Sequence, residues 1–255
     1  MINLHRFYFY GKVTFMSEEY LNIGDASKLL GVSIDTLRRW DESGKFKATR
    51  TSGGHRTYRE HDIEIFLNDL SSLALEWVSL PEPLELPSSF YCPINPIFQA
   101  RLVKLQTALK SDPSTPEYFS LLVAIAGEIG NNSFDHNIGN WPDLPGVFFA
   151  FDTHKRQIVL ADRGQGILQT LKRVRPGLPN HTEALRVAFT EILSGREPEA
   201  RGNGLKFVRK IIQDYPINLV FQTGDASLHL KEKQKELAQL INPIAIHGCL
   251  AIITY

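Results

Sequence analysis

Apolar positions between residues 17 and 70 recur at the spacing of short amphipathic helices. Ile23, Ala26, Leu29, Leu30 and Val32 share one such face, and Gly31 ends it, where a left-handed cap suits glycine. Ser33 is an N-cap for a second helix, Ile34–Trp40, with Thr36 three positions on. Gly44 and the pair Gly53-Gly54 mark turns, and His61–Leu70 (HDIEIFLNDL) predicts a third amphipathic helix. Beyond it, Pro81, Pro83, Pro87, Pro93 and Pro96 make a long helix or strand improbable across 71–96. That stretch is expected to be a proline-rich, semi-rigid linker.

The helical period returns at Pro96–Leu109, with Ile97, Leu102, Leu105 and Leu109 along one side. SDPSTPE (111–117) reads as a turn and a capped start, and Glu117–Asn137 as one long helix. From Gly146 the pattern changes. VFFAF (147–151) and QIVLA (157–161) are apolar runs with THKR between them, which predicts a hairpin of buried strands. Thr182–Leu193 and a stretch from Gly204 to Ile212 predict helices; INLVFQTG (217–224), ASLHL (226–230) and CLAIITY (249–255) predict strands. The expected fold class is therefore α+β: a small helical domain at 17–70, the linker at 71–96, and a domain with helices and a largely antiparallel sheet at 97–255.

Composition removes several classes. With 43% hydrophobic and 22% charged residues, the chain has material for a core and is not dominantly disordered. Two cysteines, Cys92 and Cys249, cannot form a disulfide framework or a structural zinc site, which fits a reducing cytoplasm. No apolar run approaches the ~18–20 residues that span a bilayer, so no membrane partner is expected. The opening residues, MINLHRFYFYGKVTF, are aromatic and stop just before Met16. They lack the aliphatic stretch and cleavage site of a signal peptide. Residues 1–16 read as a leader, a misplaced start or a short leading strand.

Charge changes the picture locally. The 28 basic and 28 acidic residues cancel over the chain, yet Arg38–Arg59 holds seven Lys and Arg against Asp41 and Glu42, a net +5 over 22 residues. A patch of that kind is the electrostatic footprint of phosphate binding, though a solvated charged face has the same composition. Ser33, Asp35 and Thr36 open the second helix, where side chains reach base edges, and Gly53-Gly54-His55-Arg56 allows a tight turn that presents Arg56. Over LNIGDASKLLGVSIDTLRRWDESGKFKATRTSGGHRTYREHDIEIFL the chain resembles the MerR family of helix-turn-helix regulators. It is most similar to the modules carried by transposon-associated recombinases. The resemblance implies a winged helix-turn-helix whose helix 34–41 enters the major groove of double-stranded DNA, with a wing around 50–58. Carried over by position, it implies DNA contacts at Ser33, Thr36, Arg38, Arg39, Arg50, His55, Arg56 and Tyr58, with Trp40 in the core. The long dimerising helix of classical members is replaced here by the proline-rich stretch.

Three further motifs follow in order. Glu128, Asn132 and His136 recur at four-residue spacing and share one helical face. A carboxylate and an amide so placed can orient water and coordinate Mg²⁺ through oxygen, and a plain polar stripe has the same spacing. Asp162-Arg163-Gly164-Gln165-Gly166-Ile167 directly follows QIVLA. An acid at a strand end with two glycines suits either a ligand pocket or an ordinary tight turn. Arg201-Gly202-Asn203-Gly204-Leu205 opens a helix, where free N–H groups favour phosphate.

Together these motifs resemble the N, G1 and G2 boxes of the GHKL ATPase superfamily, which includes gyrase, the ninety-kilodalton heat-shock chaperone, histidine kinases and MutL. The resemblance, over 117–255, implies a Bergerat-type α/β sandwich with ATP between helices and a mixed sheet. It implies Glu128 as general base for water and Asn132 as the Mg²⁺ ligand. It implies Asp162 as adenine acceptor. Gly164, Gly166 and Ile167 would shape the adenine pocket, and His136, Gly202, Gly204 and Leu205 would lie near phosphate. It further implies an ATP lid at 168–201, rich in arginine (Arg173, Arg175, Arg186, Arg196, Arg201). Gly248-Cys249 stands where many members carry Gly-Thr.

The combination predicts an ATP-binding, DNA-binding regulator of transcription, working as a homodimer with a regulatory protein partner. Two other readings remain: a serine/threonine protein kinase resembling anti-sigma factors, and an ATP-dependent mobile-element or defence protein.

Overall fold

The computed structural model describes residues 20–191, 204–234 and 236–255. The chain forms two compact units, one ending at Asn68 and the other spanning Asp69–Tyr255.

The first unit runs β1 (Tyr20–Asn22), α1 (Ile23–Leu30), α2 (Ile34–Ser43), β2 (Thr49–Arg50), β3 (Arg56–Arg59) and α3 (Glu60–Asn68). Its starts and stops follow local chemistry. The Asn22 side chain accepts from the Gly24 and Asp25 N–H groups and caps α1. Gly31 closes that helix at φ 67°, as its position predicts. Ser33 caps α2 by accepting from Thr36 N–H at 3.1 Å, and the helix continues past Trp40 to Ser43. β3 lies between β1 and β2 in an antiparallel sheet. Leu30, Leu37, Trp40, Phe46, Tyr58 and Ile63 form the core, with Phe46 stacked on Tyr58 at 5.4 Å.

The second unit begins with α4 (Leu70–Ser79) and β4 (Tyr91–Cys92), then α5 (Asn95–Ser111) and α6 (Phe119–Asn137). β5 (Val147–Asp152) and β6 (Gln157–Asp162) form the expected hairpin. α7 (Gly166–Lys172), α8 (His181–Thr190), α9 (Gly204–Asp214), β7 (Asn218–Leu230) and β8 (Ala238–Thr254) complete it. The sheet order is β4-β5-β6-β8-β7, and each neighbouring pair is antiparallel. The mixed sheet implied by the resemblance is thus not what the described strands form. Two of the pairings are hairpins, which are antiparallel by construction. INLVFQTG and ASLHL prove to be one strand with a register shift at 223–226, and β8 starts well before Cys249.

Both faces of this sheet are covered. Val147, Phe149, Ile158, Leu160, Ala251 and Ile253 point one way, into a core shared with α5, α6, α8 and α9. Phe148, Ala150, Val159, Ala161 and Leu250 have the opposite parity and are equally buried. α4 covers that second face: it packs on β8, β6 and β5 and buries Leu73, Ala74, Trp77 and Val78. Double coverage explains why VFFAF and QIVLA are unbroken apolar runs.

Residues 71–96 are therefore not a linker. α4 occupies most of the first half, β4 adds an edge strand, and both belong to the second unit. The prolines mark ends of structure. Pro81 follows α4, and Pro96 lies in the first turn of α5, where its missing N–H costs nothing. The domain boundaries move accordingly, from 17–70 and 97–255 to a single junction between Asn68 and Asp69.

Candidate functional site

Sheet register gathers the chemistry of the second unit. Cys92, Val147, Asp162, Cys249 and Thr223 are successive partners in one row across the five strands. Beside this row, between α6, α7 and α9, lies a cleft of about 440 Å³, part of it open to solvent. Ile129, Ile167, Leu205 and Phe221 give it apolar walls; Asn132, His136, Asp162 and Gly166 also line it. Six of the residues singled out in the sequence thus converge on one cavity.

Asp162 is 2% exposed. Its Oδ2 accepts from the Ser133 hydroxyl at 2.8 Å and its Oδ1 from Gly164 N–H at 2.8 Å. With the Cys249 N–H also directed at it, three of about four acceptor sites are addressed, so capacity remains for one ligand N–H donor. Burial pushes the carboxyl up to about 6, against the lowering effect of Ser133 and of the Gly164 and Cys249 N–H groups. The turn after it is held by Asn137, whose Oδ1 accepts from Gln165 N–H at 2.9 Å. Gly166 has φ 71°, and a Cβ there would come within 2.8 Å of Thr223 Oγ1, so the close approach requires glycine.

Ser133, Asn137 and Thr223 belong to none of the three motifs, yet they hold this end of the cleft together. Thr223 Oγ1 accepts from Ile167 N–H at 3.2 Å and donates to the Gly248 carbonyl at 2.9 Å, joining α7 to two strands. Thr223 is the cross-strand partner of Cys249, with its hydroxyl bonded to backbone groups. Cys249 itself lines the cleft, with its thiol held far above the ordinary range by burial and by Asp162. Only the register Thr223↔Cys249 reveals this.

At the other end of the cleft, Asn132 donates to Glu128 Oε1 at 3.3 Å. A Cβ on Gly204 would strike the Glu128 carboxylate, so the first turn of α9 is packed directly on that residue. Glu128 and Gly204 are brought together, next to the cleft rather than in its lining. Gly202 lies outside the described residues. Among the described residues no three of His, Cys, Asp and Glu form a metal cage.

The proposed lid is corrected in part. Residues 168–191 contain the rest of α7 and all of α8, whose Leu185, Val187 and Phe189 are buried. Arg173 donates to Gln165, and Arg175 and Arg186 pair with Glu191. These arginines serve the fold of their own segment. Arg196 and Arg201 lie outside the described residues.

Arg163, inside the second motif, has a role that the motif does not announce. Its side chain is fully buried and its guanidinium bonds Asp143 and the backbone carbonyls of Trp77, Leu80 and Pro81.

In the first unit the basic patch divides. Arg38, Arg39, Arg50 and His55 are exposed on α2 and the β2–β3 hairpin. Ser33 is exposed as well, with its oxygen committed to the cap. Arg56 does not project from the wing. Its side chain is 19% exposed and bonds Asp41 at 2.6 Å and Glu42 at 3.2 Å. Asp41 also accepts from Arg50 and from Ala48 N–H, and these partners hold its carboxyl below the usual range despite burial. Two expected contacts are core residues instead. Tyr58 is buried and its hydroxyl donates to the Leu37 carbonyl, fastening β3 to α2. Thr36 is buried, with its hydroxyl bonded to Ser33 and accepting from Arg39.

Compared with known families, residues 22–58 match the MerR family regulatory protein. The match opens at the α1 cap and closes at Tyr58, so the first unit carries a helix-turn-helix of the MerR kind with its hairpin. No curated protein matches the chain. No helix among the described residues is long and apolar enough to cross a membrane.

Proposed function

We propose that this protein is an ATP-responsive DNA-binding regulator. The first unit would bind duplex DNA through α2 and the β2–β3 hairpin, with Arg38, Arg39, Arg50 and His55 facing phosphate and base edges. The second would bind adenine nucleotide in the cleft above Asp162.

One observation carries the nucleotide reading. Asn132, His136, Asp162, Gly166, Ile167 and Leu205, drawn from three separate motifs, line a single cleft with a buried carboxylate in its wall. These residues fit an adenine nucleotide. Asp162 has acceptor capacity left for the exocyclic amino group, and the apolar walls suit a flat ring. The start of α9 offers N–H groups and a positive dipole end to phosphate. Asn132 would contribute its amide oxygen to Mg²⁺, which when bound screens phosphate charge and keeps most of its other ligands from water and phosphate. Glu128 would take the proton from an attacking water at its carboxylate.

Fluorescence anisotropy with labelled duplex DNA, at low salt, tests the combined reading. Glu128→Ala protein, unable to turn over nucleotide, is titrated with and without saturating Mg·ATP. A DNA affinity change of about 5–150-fold is expected. Identical DNA affinities, or no DNA binding in either condition, would contradict it.

A further inference from the structure

Asp162 and Arg163 are consecutive residues serving opposite faces of one sheet. Asp162 lines the cleft. Arg163 goes to α4 on the second face, where its guanidinium makes four hydrogen bonds and an ion pair with Asp143. Nε donates to Asp143 Oδ2 at 2.7 Å. One terminal nitrogen serves the Trp77 and Leu80 carbonyls, the latter at 2.9 Å. The other donates to the Pro81 carbonyl at 3.0 Å and lies in ion-pair contact with Asp143.

Two of these acceptors belong to the end of α4, where helix geometry leaves carbonyls unpaired and a cation is favoured. Water or a glycine turn would satisfy them more cheaply than a buried guanidinium. A buried arginine held at several points in fixed geometry passes on small displacements of its backbone. Asp162 Oδ1 already holds Gly164 N–H, so the backbone on both sides of Arg163 is tied to the carboxylate that faces the cleft. α4 is also where the chain enters the second unit: α3 ends at Asn68, Asp69 caps α4, and α4 begins at Leu70.

We propose that the Asp162–Arg163 pair couples occupation of the cleft to α4, with Arg163 as the positioning residue, so that the hold of α4 on the sheet depends on bound nucleotide. This rests on the nucleotide reading above. A ligand donor that engages Asp162 fixes the end of β6, and Arg163 passes that ordering to the last turn of α4.

Hydrogen exchange of the full chain, with and without saturating ADP, tests it. Amides 74–80 in the parent protein are expected to exchange about fivefold more slowly, or better, with ADP present. Arg163→Lys keeps the charge and loses the planar fork. It is expected to bind ADP and to abolish the ADP-dependent slowing in α4. A purely structural arginine would instead speed exchange equally in both states. Should Arg163→Lys fail to fold, Asp143→Asn loosens the same guanidinium and is expected to shrink the response. The proposal is overturned if ADP protects 128–137 and 162–167 in the parent while 74–80 does not respond. It is equally overturned if either variant that folds responds as the parent does. Absence of any ADP binding by the parent removes the nucleotide reading, and this inference with it.

Discussion

At Asp162 stability and binding pull in opposite directions. Burial raises its carboxyl from 3.8 to about 6, so the native state holds its proton to higher pH than the unfolded chain does. Its contribution to stability is complete below the unfolded value and is lost as pH rises through about 6. A shift of roughly two units corresponds to about 3 kcal/mol. Asp162→Asn keeps an oxygen for Gly164 N–H and presents its amide to Ser133. It should be more stable than the parent at pH 7.5, by up to that amount, with the gap closing toward pH 4. Urea melts at the two pH values check this, and a variant no more stable at pH 7.5 contradicts the buried, ionised carboxylate. The ionised form is also the one that accepts a ligand donor, so nucleotide affinity should fall as pH drops below about 6. In the first unit Arg38 and Arg56 should separate. Arg38 is 53% exposed and pairs only locally with Asp35. Arg38→Ala should weaken DNA binding with stability within about 0.5 kcal/mol of the parent. Arg56→Ala strips a main partner from Asp41, which is 9% exposed, and should cost about 1–3 kcal/mol in a denaturant melt. Equal stability losses would erase that distinction. The motif residues facing the cleft were legible because their spacing is tied to a helix face and a strand end. Tyr58 and Thr36 were misjudged because a hydroxyl in a basic patch reads the same whether it meets solvent or a backbone carbonyl.

Helix α4 teaches the same lesson at the scale of elements. LSSLALEWVS is apolar enough to be buried, but five prolines downstream drew the stretch toward a linker. Proline forbids helix interior, not the helix that ends before it. The continuous apolar character of VFFAF and QIVLA already required cover on both faces, and α4 is that cover. A fragment 97–255 would lack it, together with β4, and would expose Phe148, Val159 and Leu250. It should aggregate or melt without cooperativity, whereas 69–255 should unfold in one transition. Calorimetric scans of the two fragments decide the matter, and a cooperative transition in 97–255 would contradict the covering role of α4. At the cleft, Gly204→Ala would push α9 away from Glu128. It should lower nucleotide affinity about tenfold or more while costing about 1–3 kcal/mol of stability. Unchanged affinity in that variant would mean that the start of α9 does not border the bound ligand. The strand row that places Thr223 beside Cys249 had no sequence signal of its own, since register depends on a turn and a shift far from both.

For the molecule as a whole, two units with separate cores are joined within one chain, the first bearing the basic patch and the second the cleft. If nucleotide alters DNA affinity, linkage requires DNA to alter nucleotide affinity by the same factor. Every such effect presupposes that the cleft takes adenine nucleotide against Asp162. Isothermal titration of the full chain with ATP and Mg²⁺ at pH 7.5, beside Asp162→Asn, measures this directly. The account predicts saturable one-site binding by the parent and affinity weaker by about 1.5–3 kcal/mol in the variant, the worth of a hydrogen bond to a charged acceptor. Equal affinities in the two proteins, with Asp162→Asn folded, would contradict it.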